Sequence, residues 1–134
     1  MITVKTQVKV GVADIWIYWT SPEHIVNWNF ANEDWHCPKA ESNLIPSGKF
    51  NYTMASKDGN MSFGFEGQFI DIKPKQFLSY HTSDGRKVEI KFKDTGDYVE
   101  IIESFEPESM NPEEMQKAGW QAILDNFKKY AESI

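Results

Sequence analysis

The sequence predicts an α+β domain in which a curved antiparallel sheet of six or seven strands wraps around a long C-terminal helix, with two short helices after the first strand. Three observations predict it. Residues 50–105 form a succession of alternating apolar stretches separated by the turn sequences "KDGN", "KPKQ", "SDGR" and "DTGD", the pattern of an antiparallel meander. The segment from Asn111 to Ile134 carries its apolar residues on one helical face, and such a face must be buried against another element. A length of 134 residues suits one domain with one core, so the sheet is the surface available to receive that helix.

Taken in order, the elements follow from periodicity and punctuation. Ile2, Val4, Val8 and Val10 alternate with Lys5, Gln7 and Lys9, the period of a half-buried strand; Thr6 falls on the apolar side. After Gly11 the period changes, with Val12, Ile15, Trp16 and Trp19 at helical spacing. "TSPEHIV" then starts a second short helix, with Ser21 as N-cap and Pro22 at the first helical position, where a missing N–H costs nothing. Residues 27–47 read as irregular, apart from a short strand near Ala40–Ile45, and a connection of that length is usually functional or packed by its own side chains.

Phe50, Tyr52 and Met54 alternate up to "KDGN", and Met61, Phe63, Phe65 and Phe69 alternate after it, which makes a hairpin because Asp-Gly readily supplies positive φ. Near Phe69 the parity moves to Ile70 and Ile72, the mark of a β-bulge that bends the strand. Strands follow at Phe77–Thr82, around Val88, Ile90 and Phe92, and from Val99 to Phe105. In "NPEEMQ", Asn111 is placed as N-cap, Pro112 at the first helical position and Glu114 as its capping-box partner. Trp120, Ile123, Leu124, Phe127, Ala131 and Ile134 then form the apolar face of a helix of about five turns.

Composition excludes several functions. The net charge of −6 is the wrong sign for neutralising phosphates, and no Lys/Arg cluster offsets it, so nucleic acid is not an expected partner. No apolar run approaches the ~20 residues that span a bilayer, and the alternating start is not a signal peptide; the expectation is a soluble, cytoplasmic protein. Cys37 is the single cysteine, so no intrachain disulfide forms.

The stretches "DIWIYWTSPEHIVNW", "GKFNYTMASKDG", "FGFEGQFIDIKP", "YHTSDGRKVEIKF" and "GWQAILDNFKKY" span nearly the whole chain. In that order they resemble the START / Bet v 1-like (SRPBCC) superfamily, and within it the family similar to the C-terminal domain of the activator of heat-shock-protein-90 ATPase. The resemblance implies a helix-grip fold with a cavity between sheet and last helix, opening beneath the two short helices and the loop after them. It also implies a role in ligand binding, in cyclase-type catalysis, or in chaperone assistance and stress response. No catalytic set is common to such proteins, so none is assigned here. The separate N-terminal domain of the eukaryotic activator has no counterpart in these residues.

Candidate site residues follow from that cavity. "NWNFANEDWHCP", residues 27–38, concentrates aromatics where the mouth is expected, which makes Trp28, Phe30, Trp35 and His36 rim candidates; the plain alternative is that they staple a long loop to the core. A metal site is not expected, because His24, His36, Cys37 and His81 lack ligand spacing. Cys37 as a nucleophile lacks an electropositive setting, since Glu33 and Asp34 precede it. By parity, Tyr52, Met54, Phe63 and Phe65 face the helix, Trp120 and Leu124 face back, and Gly67 leaves room beside Phe65. Glu103 shares the parity of Val99, Ile101 and Phe105, which points a carboxylate inward: either a ligand-orienting or acid/base group with a raised pKa, or a strand-end carboxylate reaching solvent or an internal partner. His81 competes with Tyr80 for the inner face. The reading is a binding protein for a small apolar molecule, monomeric or homodimeric, with no cofactor. A cyclase- or hydrolase-type enzyme using the same pocket and a chaperone-contacting module are its alternatives.

Overall fold

The meander expected over residues 50–105 forms, and two further strands join it. The computed structural model describes all 134 residues. In chain order the elements are β1 (Ile2–Val8), α1 (Val12–Thr20), α2 (Pro22–Ile25), β2 (Trp35–Ser42), β3 (Lys49–Ser56), β4 (Ser62–Lys73), β5 (Phe77–Thr82), β6 (Lys87–Asp94), β7 (Val99–Phe105) and α3 (Glu113–Ser133). The seven strands make one antiparallel sheet in the order β1-β7-β6-β5-β4-β3-β2, curled around α3 as a helix-grip fold. Hairpin turns place Gly59 and Gly85 at φ of 80° and 85°, a conformation that glycine adopts without a Cβ clash.

The alternation marks the two faces of this sheet. On β6, Val88, Ile90 and Phe92 are buried, and Lys91 between them is exposed. Register carries the inner face across its neighbours, with Leu78 opposite Ile90, and Ile90 opposite Glu103, which is in turn opposite Val4. The bulge expected near Phe69 is present: pairing with β5 shifts between Phe69 and Ile72. There the Ser79 hydroxyl accepts a hydrogen bond from the Asp71 backbone N–H at 3.2 Å.

Helix α3 buries Leu124, Phe127 and Ala131 against this face and against α1, where Ile15, Trp16 and Trp19 are also buried. Its polar side chains serve the open edge of β1. Gln121 Nε2 donates to the Lys5 carbonyl at 3.0 Å, Lys128 Nζ to the Gln7 carbonyl, and the Lys9 N–H donates to Glu132 at 2.9 Å. Two outward carbonyls of β1 and the N–H just beyond it are thereby satisfied within the molecule.

Three expectations are corrected and one is met. The second strand begins at Trp35, well before Ala40, because a shift in pairing with β3 between His36 and Lys39 hides its alternation. The expected capping box does not form: Pro112 is the N-cap residue and the helix starts at Glu113. Asn111 is instead held by its carbonyl, which accepts from Gln116 Nε2 at 2.8 Å. Ser21 does cap α2, with Pro22 following, but through no side-chain hydrogen bond. Ile134 is 64% exposed, one residue past the last helical turn and beyond the sheet it was expected to cover.

Candidate functional site

The inner face of the sheet carries polar groups among aromatics near the first half of α3. Trp120 stacks on Phe105 with ring centroids 4.1 Å apart and planes at 10°. Phe65 lies 6.1 Å from both Trp120 and Tyr80. Phe50 lies 4.8 Å from Tyr80 and 4.9 Å from Tyr52. These rings form a frame, and Glu103 sits on the same face, one inward position along β7 from Phe105.

Glu103 is 6% exposed, and its register neighbours are Val4 and Ile90. No protein group bonds or pairs with its carboxyl, and burial alone pushes the pKa up to about 8. At neutral pH this side chain is mostly the neutral acid. Tyr80, 8% exposed, has its phenol pushed well up, first by burial and then by the nearby Glu103 and Tyr52. Burial also raises Tyr52; Ser42 faces its hydroxyl, yet the Ser42 Oγ is left buried without a partner at bonding distance. The sealed and unpartnered polar side-chain atoms are Asn29 Nδ2, Ser42 Oγ and Asn51 Oδ1. The Glu103 and Tyr80 oxygens are not among them, so both open onto solvent-sized space.

The sequence-derived candidates divide into those inside this frame and those outside it. Tyr52, Phe65, Trp120 and Glu103 belong to it, Met54 is buried beside it at 8% exposure, and Leu124 is fully buried one turn along α3 from Trp120. Trp28 does not line a rim. It is 4% exposed, its indole N–H donates to the Tyr18 carbonyl at 2.9 Å, and its ring packs 4.9 Å from both Trp19 and Phe127. There it joins α1 to α3, and Asn126 Nδ2 donates to its carbonyl at 2.9 Å.

His36 pairs with Ala55, which puts it on the face opposite Tyr52 and Met54. Phe63, though opposite Met54 in register, is 50% exposed because the β3–β4 hairpin runs past the end of the core, and its ring meets Trp35 at 5.8 Å. Trp35 is therefore a half-buried edge residue on that hairpin. Phe30 lines a separate shallow cleft of about 330 Å³ with Asn32, Asp125, Asn126 and Lys129. Gly67 leaves no void beside Phe65: a Cβ there would lie 2.5 Å from the Phe50 ring and 2.4 Å from the His81 carbonyl.

Tyr80 is the inward residue that no candidate set included. Its parity with Leu78 and its register with Val88 carry the signal, and His81, its rival for that face, is exposed. Cys37 is buried at 2% exposure with its thiol pushed up mainly by burial, which leaves it protonated and unreactive. Across the β3–β5 strands, Lys49, Asn51, Glu66, Gln68 and His81 line a polar cleft of about 520 Å³. No three His, Cys, Asp or Glu side chains converge as a metal would require, and no helix is long and apolar enough to cross a membrane.

Comparison with known proteins fits this architecture. The family model described as activator of Hsp90 ATPase homolog 1-like protein matches residues 9–132. The solution structure of an AHSA1-like protein from Aeromonas hydrophila is 35% identical, with 98% of this chain and 92% of that one covered and a TM-score of 0.94. A solution structure from Cytophaga hutchinsonii is 47% identical over the same shares, with a TM-score of 0.85. A crystal structure from Nitrosomonas europaea shares the fold at 16% identity, covering 98% of this chain and 94% of that one, with a TM-score of 0.84. No curated protein matches the chain.

Proposed function

Because the chain belongs to the family of proteins like the activator of Hsp90 ATPase homologue 1, we propose that it is a small-molecule binding protein. On this reading an apolar guest lies on the helix side of the sheet, against the β3–β7 strands and the first half of α3. One observation carries the reading: Glu103 and Tyr80 are buried polar groups without protein partners, set within a frame of Trp120, Phe105, Phe65 and Phe50. Both open onto solvent-sized space, so a guest with one or two polar atoms finds hydrogen-bond partners there that no protein group occupies. Burial of the guest's apolar surface, at roughly 25 cal/mol per Å², supplies the affinity.

Thermal unfolding against a broad library of lipophilic compounds tests this. A binder raises the unfolding midpoint with ligand concentration, and Trp120→Ala abolishes the rise. A library in which nothing shifts the midpoint removes the reading.

A second reading, a contact with a chaperone, is favoured by Met61 and Phe63, which are 61% and 50% exposed at the tip of the β3–β4 hairpin, with Trp35 against Phe63. It predicts that Hsp90 is retained on the immobilised protein and lost with Met61→Ser/Phe63→Ser. The catalytic alternative needs Glu103 and Tyr80 to address one substrate atom, and it predicts turnover that Glu103→Gln abolishes.

A further inference from the structure

We propose, resting on the binding reading above, that the guest carries a basic nitrogen, and that Glu103 takes its ammonium group while its apolar ring lies against the partly exposed Trp120 and Phe65. The carboxyl is more than nine-tenths buried and unpartnered, a position that is costly for a protein to maintain with nothing to receive it.

The groups around Glu103 decide the sign of the guest. From β1 and β6 it meets Val4 and Ile90, and along its own strand Ile101 and Phe105. From β5 comes the phenol of Tyr80, which in turn faces Tyr52 of β3, both neutral acids. The buried residues of α3 are Gln116, Leu124, Phe127 and Ala131, those of α1 are Ile15, Trp16, Trp19 and Thr20, and neither set carries a charge. The charge of Arg86 reaches Tyr80, but Arg86 is held by Asp84 at 2.8 Å. The face thus offers one carboxylate, two phenols and the faces of several rings. An ammonium is favoured by all three, the rings through their negative faces. A carboxylate guest meets no cation, and a neutral alcohol gains one hydrogen bond without charge assistance.

Binding also moves a proton. An amine arrives as its ammonium, and Glu103 must ionise to pair with it, so its carboxyl proton leaves to solvent. With the carboxyl raised to about 8 in the free protein, most of a proton is released per amine bound near neutral pH, and the release falls away as pH rises past that value.

Tryptamine, tryptophol and indole-3-propionate, which share a ring and differ in the terminal group, test the inference by titration calorimetry in buffers of different ionisation enthalpy. Tryptamine is expected to bind at least about tenfold tighter than tryptophol, with proton release at pH 7, and indole-3-propionate weakest. Glu103→Gln is expected to remove the advantage of tryptamine over tryptophol and to end the proton release. Equal binding of tryptamine and tryptophol, or tryptamine binding without proton release, overturns the amine inference and leaves the binding protein standing. If none of the three probes binds or raises the unfolding midpoint, the amine inference falls; the wider reading falls only when the whole lipophile library is silent as well.

Discussion

An acid held near pKa 8 in the folded chain, with an ordinary value of 4.5 once unfolded, makes stability depend on pH with a definite sign. Below about 4.5 both states carry the proton and the group contributes nothing. Between 4.5 and 8 only the folded state keeps it, so the unfolded state is favoured increasingly as pH rises. The accumulated cost above pH 8 is on the order of 5 kcal/mol. Glu103→Gln keeps the shape and removes the titration. Denaturant unfolding is therefore expected to show a wild type that loses stability from pH 5 to pH 8 and a variant with a flatter profile, the two diverging most at the alkaline end. A variant curve parallel to the wild type places the titrating group elsewhere. The inward direction of Glu103 was legible from its parity with Val99, Ile101 and Phe105, because strand geometry leaves only two faces. Its lack of a partner was not, since that depends on what four other strands and a helix present to it.

At the scale of elements, α3 begins without the side-chain cap its sequence suggests. Gln116 takes over that work: its Oε1 accepts from the Glu108 N–H at 2.9 Å, and its Nε2 donates to the Glu108 and Asn111 carbonyls at 3.0 and 2.8 Å. The Glu108 carboxylate in turn accepts from the Met110 and Asn111 N–H groups, which holds it below the usual carboxylate range. Gln116→Ala leaves three backbone groups short of a partner, and a loss of about 1–3 kcal/mol is expected by chemical denaturation. A change below about 0.5 kcal/mol shows that water replaces the side chain without cost. Legibility differed among elements for a physical reason. The β3 to β7 strands have one wet and one dry face, so their alternation appears in the sequence. In β2 the shift between His36 and Lys39, together with Pro38, breaks the alternation halfway, and the first half read as loop. That single misreading turned Trp35 and His36 into rim residues.

For the molecule as a whole, one core joins sheet, α1 and α3, and no covalent crosslink supports it. Cys37 is free and 2% exposed on β2. Reducing agent is expected to leave the unfolding midpoint unchanged. Alkylation of Cys37 under native conditions should run on the order of 100-fold slower than in the unfolded chain, because it waits for β2 to open. Labelling at the unfolded rate would show β2 detached in solution. The fold was legible almost entire, since alternation, turn sequences and one amphipathic helix determine a helix-grip sheet. The frame of the candidate site was legible in part: Tyr52, Phe65 and Glu103 follow from strand parity, and Trp120 from helical spacing. Trp28 and Phe63 were misplaced because parity says which way a residue points, not whether the core extends that far. The two flanks of the sheet differ as well. Side chains from α3 take the Lys5 and Gln7 carbonyls on β1, whereas β2, the other edge strand, carries a register shift, Pro38 and the Lys39–Glu41 pair. Strand-to-strand joining of copies is thereby hindered on both flanks, by helix side chains on one and by irregularity and charge on the other.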